Sequence, residues 1–318
     1  MFAKTLAKSI FLLISLIIIT CVIYPGILWT IGQSIFPFQA NGSILYNSEH
    51  KAIGSKLIAQ PFTKAEFFQS RPSAASYDAS ASTSSALAPS NYALRDRVAR
   101  SIGAVAKYQN GQPIASDVAK WFKQDVYQGK SNIVAQWATL HPSLATAWVN
   151  ADPTHAAYIN QWAKTHPDKI KQFMNDNPSI AQPSAVDLAV VFFQNFSKET
   201  PGKFPATTTE ADTQSLFFDM WRQDNPDILL QTIPADYVTT SASGLDPHIS
   251  LENAYYQLDR VTAKWAADLK RNPEEIAKEI EEILTANASA PLGGLAGEKF
   301  VNVLEVNIAL EKHFGSTP

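Results

Sequence analysis

The chain has 318 residues, of which 46% are hydrophobic and 17% are charged, and its formal net charge at pH 7 is −3. A chain of this length can bury one or two ordinary hydrophobic cores. The slightly negative charge provides no basic field for nucleic acid, which excludes a nucleic-acid partner. The single cysteine, Cys21, lies in an apolar stretch, so the remaining chain can form neither a disulfide nor a cysteine-based metal site.

An almost uninterrupted apolar run occupies residues 10–28. As a helix it would reach roughly 28 Å, about the thickness of the hydrocarbon core of a bilayer. Lys4 and Lys8 precede the run and the next charged residue is Glu49, which predicts a cytoplasmic N-terminus and an extracytoplasmic bulk of the chain. We therefore predict a single-pass protein of the cell inner membrane, with residues 1–31 as its cytoplasmic tip and transmembrane anchor.

Cleavage and lipidation are the alternatives to a retained anchor. A signal peptide also has a basic start and a short apolar core, but no small-residue cleavage site follows and the apolar run continues beyond Val22. The residues that end at Cys21 resemble a lipoprotein box, although Thr20 is a poor residue before the cysteine. A retained anchor in contact with the lipid bilayer is therefore the favoured interpretation.

Residues 32–110 are predicted to form the first part of a mixed extracytoplasmic domain. The pair Asn41-Gly42 predicts a tight turn, because asparagine and glycine adopt the positive φ angles that such turns need. A short strand is expected near residues 43–46, and a second strand or extended piece is expected at 53–60.

A loop and then a helix are predicted in the rest of this segment. Residues 74–90 are largely Ala and Ser with few large apolar residues, which is typical of a loop. A helix is expected to start after Ser90 or Asn91 and to end at Gly111. Its predicted apolar face consists of Leu94, Val98, Ile102 and Val105.

In residues 111–232 an aromatic residue recurs five positions before a proline. The pairs are Trp137/Pro142, Trp148/Pro153, Trp162/Pro167, Phe173/Pro178 and Trp221/Pro226, and the first four align as two copies of a 25-residue unit. Proline fits the first turn of a helix and Asp or Asn the position before it, so Asp152-Pro153 and Asn177-Pro178 predict helix starts. We predict an all-helical, Trp/Pro-rich insertion in which each aromatic packs its helix against a neighbour.

Residues 233–318 are predicted to form the second part of the mixed domain. An extended stretch is expected at 238–243, followed by a turn. Ser250, Asn272 and Asn302 are predicted helix N-caps, because their side chains can accept hydrogen bonds from the free N–H groups of a first helical turn. The predicted fold class is thus α+β, with a single transmembrane helix and a mixed domain that the helical insertion interrupts.

Ser243, His248 and Asp246 are the residues that a Ser/His/Asp hydrolase would use. Ser241 and Ala242 stand where a nucleophile elbow needs its first glycine, and a turn with hydrogen-bonding serines explains these residues better. No catalytic residue is therefore assigned.

Three histidines, His141, His155 and His166, were considered as metal ligands. They lack the spacing of metal ligands on one helix face and no clustered carboxylates accompany them. Two of them precede prolines, which predicts positions at helix boundaries. The sequence therefore assigns neither a metal site nor a cofactor site to this chain.

Two parts of the chain contain a series of short, distinctive sequence blocks. The first part contains Gly32-Gln33, Gln39-Ala40-Asn41-Gly42-Ser43, Phe67-Phe68 and Arg71-Pro72-Ser73. The second part contains Ser241-Ala242-Ser243-Gly244-Leu245-Asp246-Pro247, Gly297-Glu298 and Val301-Asn302-Val303-Leu304 with Asn307. Together these blocks resemble the C chain of the Kdp potassium-transporting ATPase, the KdpC family, over about residues 10–105 and 234–312. The region between them is a short connection in that family, so the resemblance implies no role for the insertion.

The resemblance implies a non-catalytic accessory subunit of an ATP-driven, high-affinity potassium uptake complex. The implied partners are a channel-like potassium-binding subunit, a P-type ATPase subunit and a small membrane peptide. The family is also described as a catalytic chaperone that promotes ATP binding by the ATPase subunit. ATP and potassium would bind to the complex and not directly to this chain. Because only about nine residues of this chain are predicted to be cytoplasmic, any effect on ATP would pass through its partners.

The candidate site residues come from the same blocks, and the sequence leaves open whether they contact a partner or hold the domain together. They are Gln39, Asn41, Gly42, Ser43, Arg71, Pro72, Ser241, Ser243, Gly244, Asp246, Pro247, Asn302 and Asn307. The alternative function is a membrane-anchored extracytoplasmic binding module that uses the Trp-rich insertion as its ligand surface.

Overall fold

The computed structural model of the protein describes residues 2–46, 50–128, 133–195, 210–295 and 297–315. The chain divides into two compact units. Unit 1 combines Met1–Ser84 with Thr240–Pro318, and unit 2 is Ser85–Thr239. Helices and short strands both occur, in agreement with the predicted α+β class.

An apolar helix begins unit 1. It consists of α1 (Phe2–Ile18), a π-helical turn (Ile19–Ile23) and α2 (Tyr24–Ile35). The π-turn lies just before Pro25, which has no N–H to donate, and the wider turn accommodates the missing bond. Within the part of the chain that the structure describes, Lys4–Ile35 is the one helix long and apolar enough to cross a membrane. The predicted apolar helix is therefore present, and its orientation stays a prediction.

The predicted turn and first strand follow this helix. A short helix, α3 (Pro37–Ala40), leads to Gly42, whose φ angle is 83°. Strand β1 (Ile44–Tyr46) pairs in antiparallel fashion with β2 (Ala52–Ser55). β2 is shorter than the extended piece predicted at 53–60, because the chain turns directly after Ser55.

Unit 2 is predominantly helical. Its helices are α4 (Tyr92–Val105), α5 (Ala115–Gln128), α6 (Ile133–Leu140), α7 (Pro142–Ala151), α8 (Pro153–Thr165), α9 (Pro167–Asp176), α10 (Ala189–Gln194), α11 (Glu210–Asp224) and α12 (Ala235–Val238). The predicted insertion, residues 111–232, lies within this unit, and the unit also includes α4, which packs on α11. The insertion boundaries stay a prediction.

Helix α4 begins as predicted but ends early. The Asn91 side chain accepts a hydrogen bond from the Ala93 N–H (2.9 Å), whereas the helix stops at Val105 and Gly111 lies in a later turn. The predicted apolar face is only half-buried, and the fully packed positions of α4 are Asp96 and Gly103. The predicted end at Gly111 is wrong because the carbonyls that terminate α4 bind a side chain from a distant helix, described below.

Prolines start three of these helices, α7, α8 and α9. Asp152 caps α8 by accepting the Thr154 N–H at 2.8 Å, as predicted. The second predicted start, Asn177-Pro178, is wrong, because only a turn follows. The Asn177 side chain instead donates to the Phe173 carbonyl (2.9 Å), so Asn177 closes the end of α9.

The recurring aromatics contribute to the core of unit 2. Trp137 and Trp221 are buried, and Trp148, Trp162 and Phe173 are half-buried against the same core. The ring of Trp137 lies edge-on to Phe193 at 5.8 Å. The pattern therefore marks packing between helices.

The C-terminal part of unit 1 contains β3 (His248–Ser250), α13 (Leu251–Leu269), α14 (Pro273–Asn287), β4 (Phe300–Asn302) and α15 (Val303–Phe314). β3 pairs with β4 in antiparallel fashion. All three predicted N-caps are confirmed, since Ser250, Asn272 and Asn302 accept N–H groups at 3.0, 2.9 and 3.2 Å. The extended stretch predicted at 238–243 is wrong, because α12 ends at Val238 and serine side chains bend the chain after it.

Candidate functional site

A segment of unit 1 without regular secondary structure, residues 67–70, is held by amide side chains instead of a neighbouring strand. The Phe68 N–H donates to Asn307 Oδ1 (2.8 Å), and Asn307 Nδ2 donates to the Phe68 carbonyl (2.9 Å). Gln257 repeats this pairing on Gln69, at 2.8 and 3.1 Å. Because a buried backbone must satisfy its polar groups, these two side chains replace a strand partner. Asn307 thus has a structural contact, and Gln257 is an equivalent residue that was absent from the predicted site.

Two further side chains of α13 hold the preceding turn. Arg260 donates to the carbonyls of Ala65 (2.8 Å) and Phe67 (3.0 Å). The Trp265 indole donates to the Glu66 carbonyl at 2.9 Å. Residues 65–70 are therefore fixed against α13 and α15 through their own main chain.

The loop of residues 241–247 packs against the segment that follows Arg71. The Ser73 hydroxyl donates to the Gly244 carbonyl (2.5 Å) and accepts the N–H groups of Ala75 and Tyr77. Gly244 has a φ angle of 70°, and a Cβ atom there would lie 2.8 Å from the Thr83 carbonyl oxygen. Glycine is required here by both the backbone conformation and the close approach.

The main chain of the same loop is bound on several sides. The Ser243 carbonyl accepts the Thr83 N–H (3.0 Å), the Leu245 carbonyl accepts the Ala59 N–H (2.9 Å), and the Pro247 carbonyl accepts the Val303 N–H (2.9 Å). The Ser241 hydroxyl is buried and faces the Asp246 N–H at 3.5 Å. These bonds tie the loop to three other segments of unit 1.

Arg71, Asp246 and His248 form a charged group beside the loop. An Arg71 guanidinium nitrogen lies 3.6 Å from Asp246 Oδ2, and a second donates to the Thr240 carbonyl. The His248 N–H and ring Nδ1 lie 3.0 and 3.1 Å from Asp246 Oδ1. The hydrogen bond from the His248 side chain lowers the pKa of Asp246 against the opposing effect of burial, and the charge of Arg71 adds to this. Pro72, next to Arg71, is half-buried.

The hydrolase arrangement is incomplete in this geometry. Asp246 does hold the His248 ring, but the Ser243 hydroxyl accepts the Leu245 N–H at 3.1 Å within its own turn. Among the residues that the structure describes, no hydrogen bond joins Ser243 to His248. The serine therefore acts as a turn residue.

The block after the membrane-length helix contains both exposed and buried residues. Ser43 is buried and its carbonyl accepts the Lys56 N–H (2.9 Å), while the Gly42 carbonyl accepts the Ser55 hydroxyl (2.7 Å). Gln39, Asn41 and Gly42 are exposed.

Asn41 and Asn302 connect this block to its surroundings. Asn41 Nδ2 donates to the Pro37 carbonyl (2.7 Å) and to Gln33 (3.2 Å). Asn302 Nδ2 donates to the Lys56 carbonyl (2.8 Å), which joins the strand pair to the start of α15.

A buried charged cluster in unit 2 was absent from the predicted site. His141 Nδ1 lies 2.9 Å from Asp96 Oδ1, and its Nε2 lies 2.7 Å from Asp219 Oδ2. Ser143 donates to the second oxygen of Asp96 at 2.5 Å. The sequence did place His141 at a helix boundary, which is confirmed by its position before α7. Its partners were unrecognised because they lie 45 and 78 residues away.

Within the described ranges no group of three or more His, Cys, Asp or Glu side chains is arranged to hold a metal ion. In its described residues the chain thus has one helix long and apolar enough to cross a membrane, within unit 1, and the candidate residues of that unit mainly bind its own backbone.

The chain belongs to the KdpC family, described as the c chain of the K⁺-transporting ATPase. The family model matches residues 6–121 and 168–312 and leaves 122–167 unmatched. Members of this family are subunits of the K⁺-transporting ATPase.

Curated relatives carry the same family name. A potassium-transporting ATPase KdpC subunit of Pseudomonas aeruginosa is 48% identical over 97 residues, or 30% of this chain. A KdpC subunit 2 of Nostoc sp. is 40% identical over 121 residues. The chain spans about half the length of the first of these, 53%, and 60% of the second. A KdpC subunit of Erwinia tasmaniensis is 26% identical over 309 residues, 96% of both chains.

Proposed function

We propose that this chain is a non-catalytic accessory subunit of an ATP-driven, high-affinity potassium uptake complex. The observation that carries the proposal is the extent of the family match. It includes the membrane-length helix and the segments 65–73 and 241–247, which bind each other and α13–α15 to build unit 1. The matched residues thus include the parts that build unit 1, and the relatives that share this sequence similarity are named as KdpC subunits.

The apolar helix supports a place in the inner membrane. Its large side chains are exposed in the isolated chain, so lipid or the helices of another subunit must cover them. Lys4 and Lys8 at its start favour a cytoplasmic N-terminus, with unit 2 and the part of unit 1 beyond the helix outside. The proposed partners are a channel-like potassium-binding subunit, a P-type ATPase subunit and a small membrane peptide.

The contacts of the candidate residues support a division of roles. Gln39, Asn41 and Gly42 are exposed just beyond the end of the helix, where a neighbouring membrane subunit would lie, and we assign them to partner contact. The loop of residues 241–247 is bound to its own unit along its main chain, and we assign it to stabilising the domain.

The proposed effect on ATP is indirect. In the proposed topology unit 2 and the part of unit 1 that follows the helix lie outside the cytoplasm, so they cannot reach cytoplasmic ATP. A catalytic-chaperone effect on the ATPase subunit would be a coupling through the assembled complex, and it would be reciprocal, as all binding linkage is.

A pull-down from native membranes tests the proposal. The chain, tagged at its C-terminus, is recovered from gently solubilised membranes and its partners are identified. We expect a P-type ATPase together with a channel-like subunit. Recovery of neither would refute the accessory-subunit function.

A variant pair tests the assigned contact. Gln39→Arg places a bulky charge in the exposed block and is expected to lower recovery of the channel-like subunit several-fold. Gln161→Arg, an exposed glutamine in unit 2, is the matched control and should leave recovery unchanged. Equal recovery with both variants would remove the partner-contact role of this block.

The alternative function, a binding module with an exposed aromatic surface, has less support. Two of the five recurring aromatics are buried and three pack against the core of unit 2, so they do not form an open aromatic face.

A further inference from the structure

Unit 2 contains a cavity of about 190 Å³ between α4, α6, α7, α8 and α11. An engineered protein cavity of about 150 Å³ holds a benzene molecule, so this one admits a slightly larger organic molecule. All of its lining residues belong to unit 2. The cavity is therefore separate from the site described in unit 1.

Apolar and polar surfaces contribute comparably to the walls of the cavity. Trp137, Leu144 and Trp148 supply large hydrophobic surfaces. Ala147 and Ala151 lie one turn apart on the same face of α7, and their small side chains leave the space open. This apolar part of the lining favours contact with a hydrocarbon group.

Two side chains of opposite charge also line the cavity. Arg100 comes from α4 and Asp212 from α11. The Arg100 guanidinium is exposed and has no ion-pair partner among the residues that the structure describes. The guanidinium of an arginine can bind a carboxylate with two parallel hydrogen bonds. The carboxylate of an aspartate has several acceptor positions, so it can accept a hydrogen bond from an ammonium group while keeping its other contacts.

His155 adds a hydrogen-bond acceptor. Its ring stacks on Trp148 at 3.8 Å with an interplanar angle of 7°, and its Nδ1 lies 2.7 Å from the Trp148 carbonyl oxygen. A carbonyl can only accept, so Nδ1 carries the proton and donates. In the neutral ring Nε2 then has a free lone pair, which can accept a hydrogen bond from a ligand N–H.

We propose that this cavity binds a free α-amino acid with an apolar side chain. The carboxylate of the ligand would bind Arg100, its ammonium group would bind Asp212 and His155, and its side chain would contact the apolar walls. Such a zwitterion matches the lining in charge, which a hydrocarbon or a simple anion would not. The inference is independent of the accessory-subunit function.

Calorimetric titration of the full chain in detergent with L-leucine tests the proposal. Two analogues keep the leucine side chain and lose one charge each: 4-methylpentanoate lacks the ammonium group and 3-methylbutylamine lacks the carboxylate. We expect L-leucine to bind and each analogue to bind at least 10-fold more weakly. No binding of L-leucine, or equal affinity for all three compounds, would overturn the proposal.

Variants then connect binding to the named residues. Arg100→Gln should weaken L-leucine binding at least 10-fold and leave 3-methylbutylamine binding within 2-fold. Asp212→Asn should likewise weaken L-leucine binding at least 10-fold, but it should leave 4-methylpentanoate binding within 2-fold. Lys164→Gln and Asp227→Asn change the same charges at exposed positions outside the cavity and should leave all affinities unchanged. If Arg100→Gln behaves like Lys164→Gln, the site is not the one proposed.

A cavity-filling variant provides a test that does not depend on charge. Ala147→Leu extends a side chain into the space that the ligand would occupy and should abolish L-leucine binding, with an unchanged circular dichroism spectrum as the check on folding. Undiminished binding in this variant would place L-leucine elsewhere and refute the assignment.

Discussion

The imidazole of His141 and the carboxylate of Asp96 form a buried ion pair, with Nδ1 and Oδ1 2.9 Å apart. The other ring nitrogen, Nε2, lies 2.7 Å from Oδ2 of Asp219. When the imidazole is protonated both ring nitrogens can donate, which matches two carboxylates that accept hydrogen bonds when ionised. The pair joins the start of α7 to α4 and α11.

Stability of unit 2 is expected to depend on pH through this cluster. Burial alone would lower the pKa of His141, but the hydrogen bonds to Asp219 and Asp96 and their charges raise the pKa above its ordinary 6.5. The stabilisation is thus complete below about pH 6.5 and is lost as pH rises through the raised value. Burial alone would raise the pKa of Asp96, but hydrogen bonds from Ser143, His141 and Arg95 lower it, so its contribution is lost only in acid.

Thermal unfolding followed by tryptophan fluorescence at pH 6.0 and 8.5 measures this dependence, since most tryptophans lie in unit 2. His141→Gln cannot titrate and removes the cation that lies between the two carboxylates, while Asp96 keeps its contact with Arg95. The variant should therefore lose about 3 kcal/mol of stability at pH 6.0. Its decline between the two pH values should be smaller than that of the parent chain. An equal decline in both proteins would show that His141 is not the titrating group.

Gly103 permits the closest approach of α4 to α11. A Cβ atom there would lie 2.8 Å from the Ser215 carbonyl oxygen and 2.9 Å from Phe218 Cβ. Gln214 Nε2 donates to the carbonyls of Gly103 and Ala106, which ends α4 at this contact. Gly103→Ala gains about 1 kcal/mol of helix propensity, but separating the helices should cost more, giving a net loss of about 1–2 kcal/mol.

Chemical denaturation of the full chain measures the effect at Gly103. Ala104→Gly, at the exposed next position, reports the propensity difference alone and is the control. A stabilised Gly103→Ala variant would mean that the two helices separate without cost.

A comparison of alanine substitutions at Gly244 and Gly293 distinguishes the cost of backbone strain from the cost of steric overlap. Both have a positive φ angle, 70° and 66°, so an alanine at either position is strained by about 1 kcal/mol. A Cβ atom at Gly293 meets nothing within 4 Å, whereas one at Gly244 lies 2.8 Å from the Thr83 carbonyl oxygen. Gly244→Ala should therefore destabilise the chain by at least about 1 kcal/mol more than Gly293→Ala in denaturant unfolding. Equal losses would contradict the close packing of the loop.

Asn307→Leu removes both hydrogen bonds to the Phe68 main chain with little change in volume. The buried N–H and carbonyl of Phe68 would then lack partners, which should cost about 3 kcal/mol of unfolding free energy. Asn287→Leu is the control, because its side chain bonds one carbonyl at a half-buried helix end (2.8 Å), and it should cost less than about 1 kcal/mol. Comparable losses would mean that Asn307 does not act as the backbone partner.

Local features of the sequence were predicted well because their causes are local. The N-caps at Asn91, Ser250 and Asn272 depend on a side chain and an N–H group two or three residues away. The apolar helix depends on an unbroken run of one residue class. The blocks that resembled the KdpC family led to the correct family, although their individual contacts could not be read from the sequence.

Several errors and omissions occur where a distant partner decides the structure. Helix α4 ends early because Gln214, more than 100 residues away, binds its last carbonyls. The error at Asn177 is different, because its partner, the Phe173 carbonyl, is local and lies on the other side of the residue from the predicted helix. The amide pairings of Asn307 and Gln257 connect positions 239 and 188 residues apart.

The sequence by itself determined the apolar helix, the confirmed helix N-caps and the family, since each is set by residue types at short spacing. Only the tertiary structure decided that Asp96, His141 and Asp219 meet in one buried cluster, and that Arg100 and Asp212 line one cavity. Burial and proximity between distant residues arise from the packing of whole helices, which the spacing of residues along the sequence does not predict.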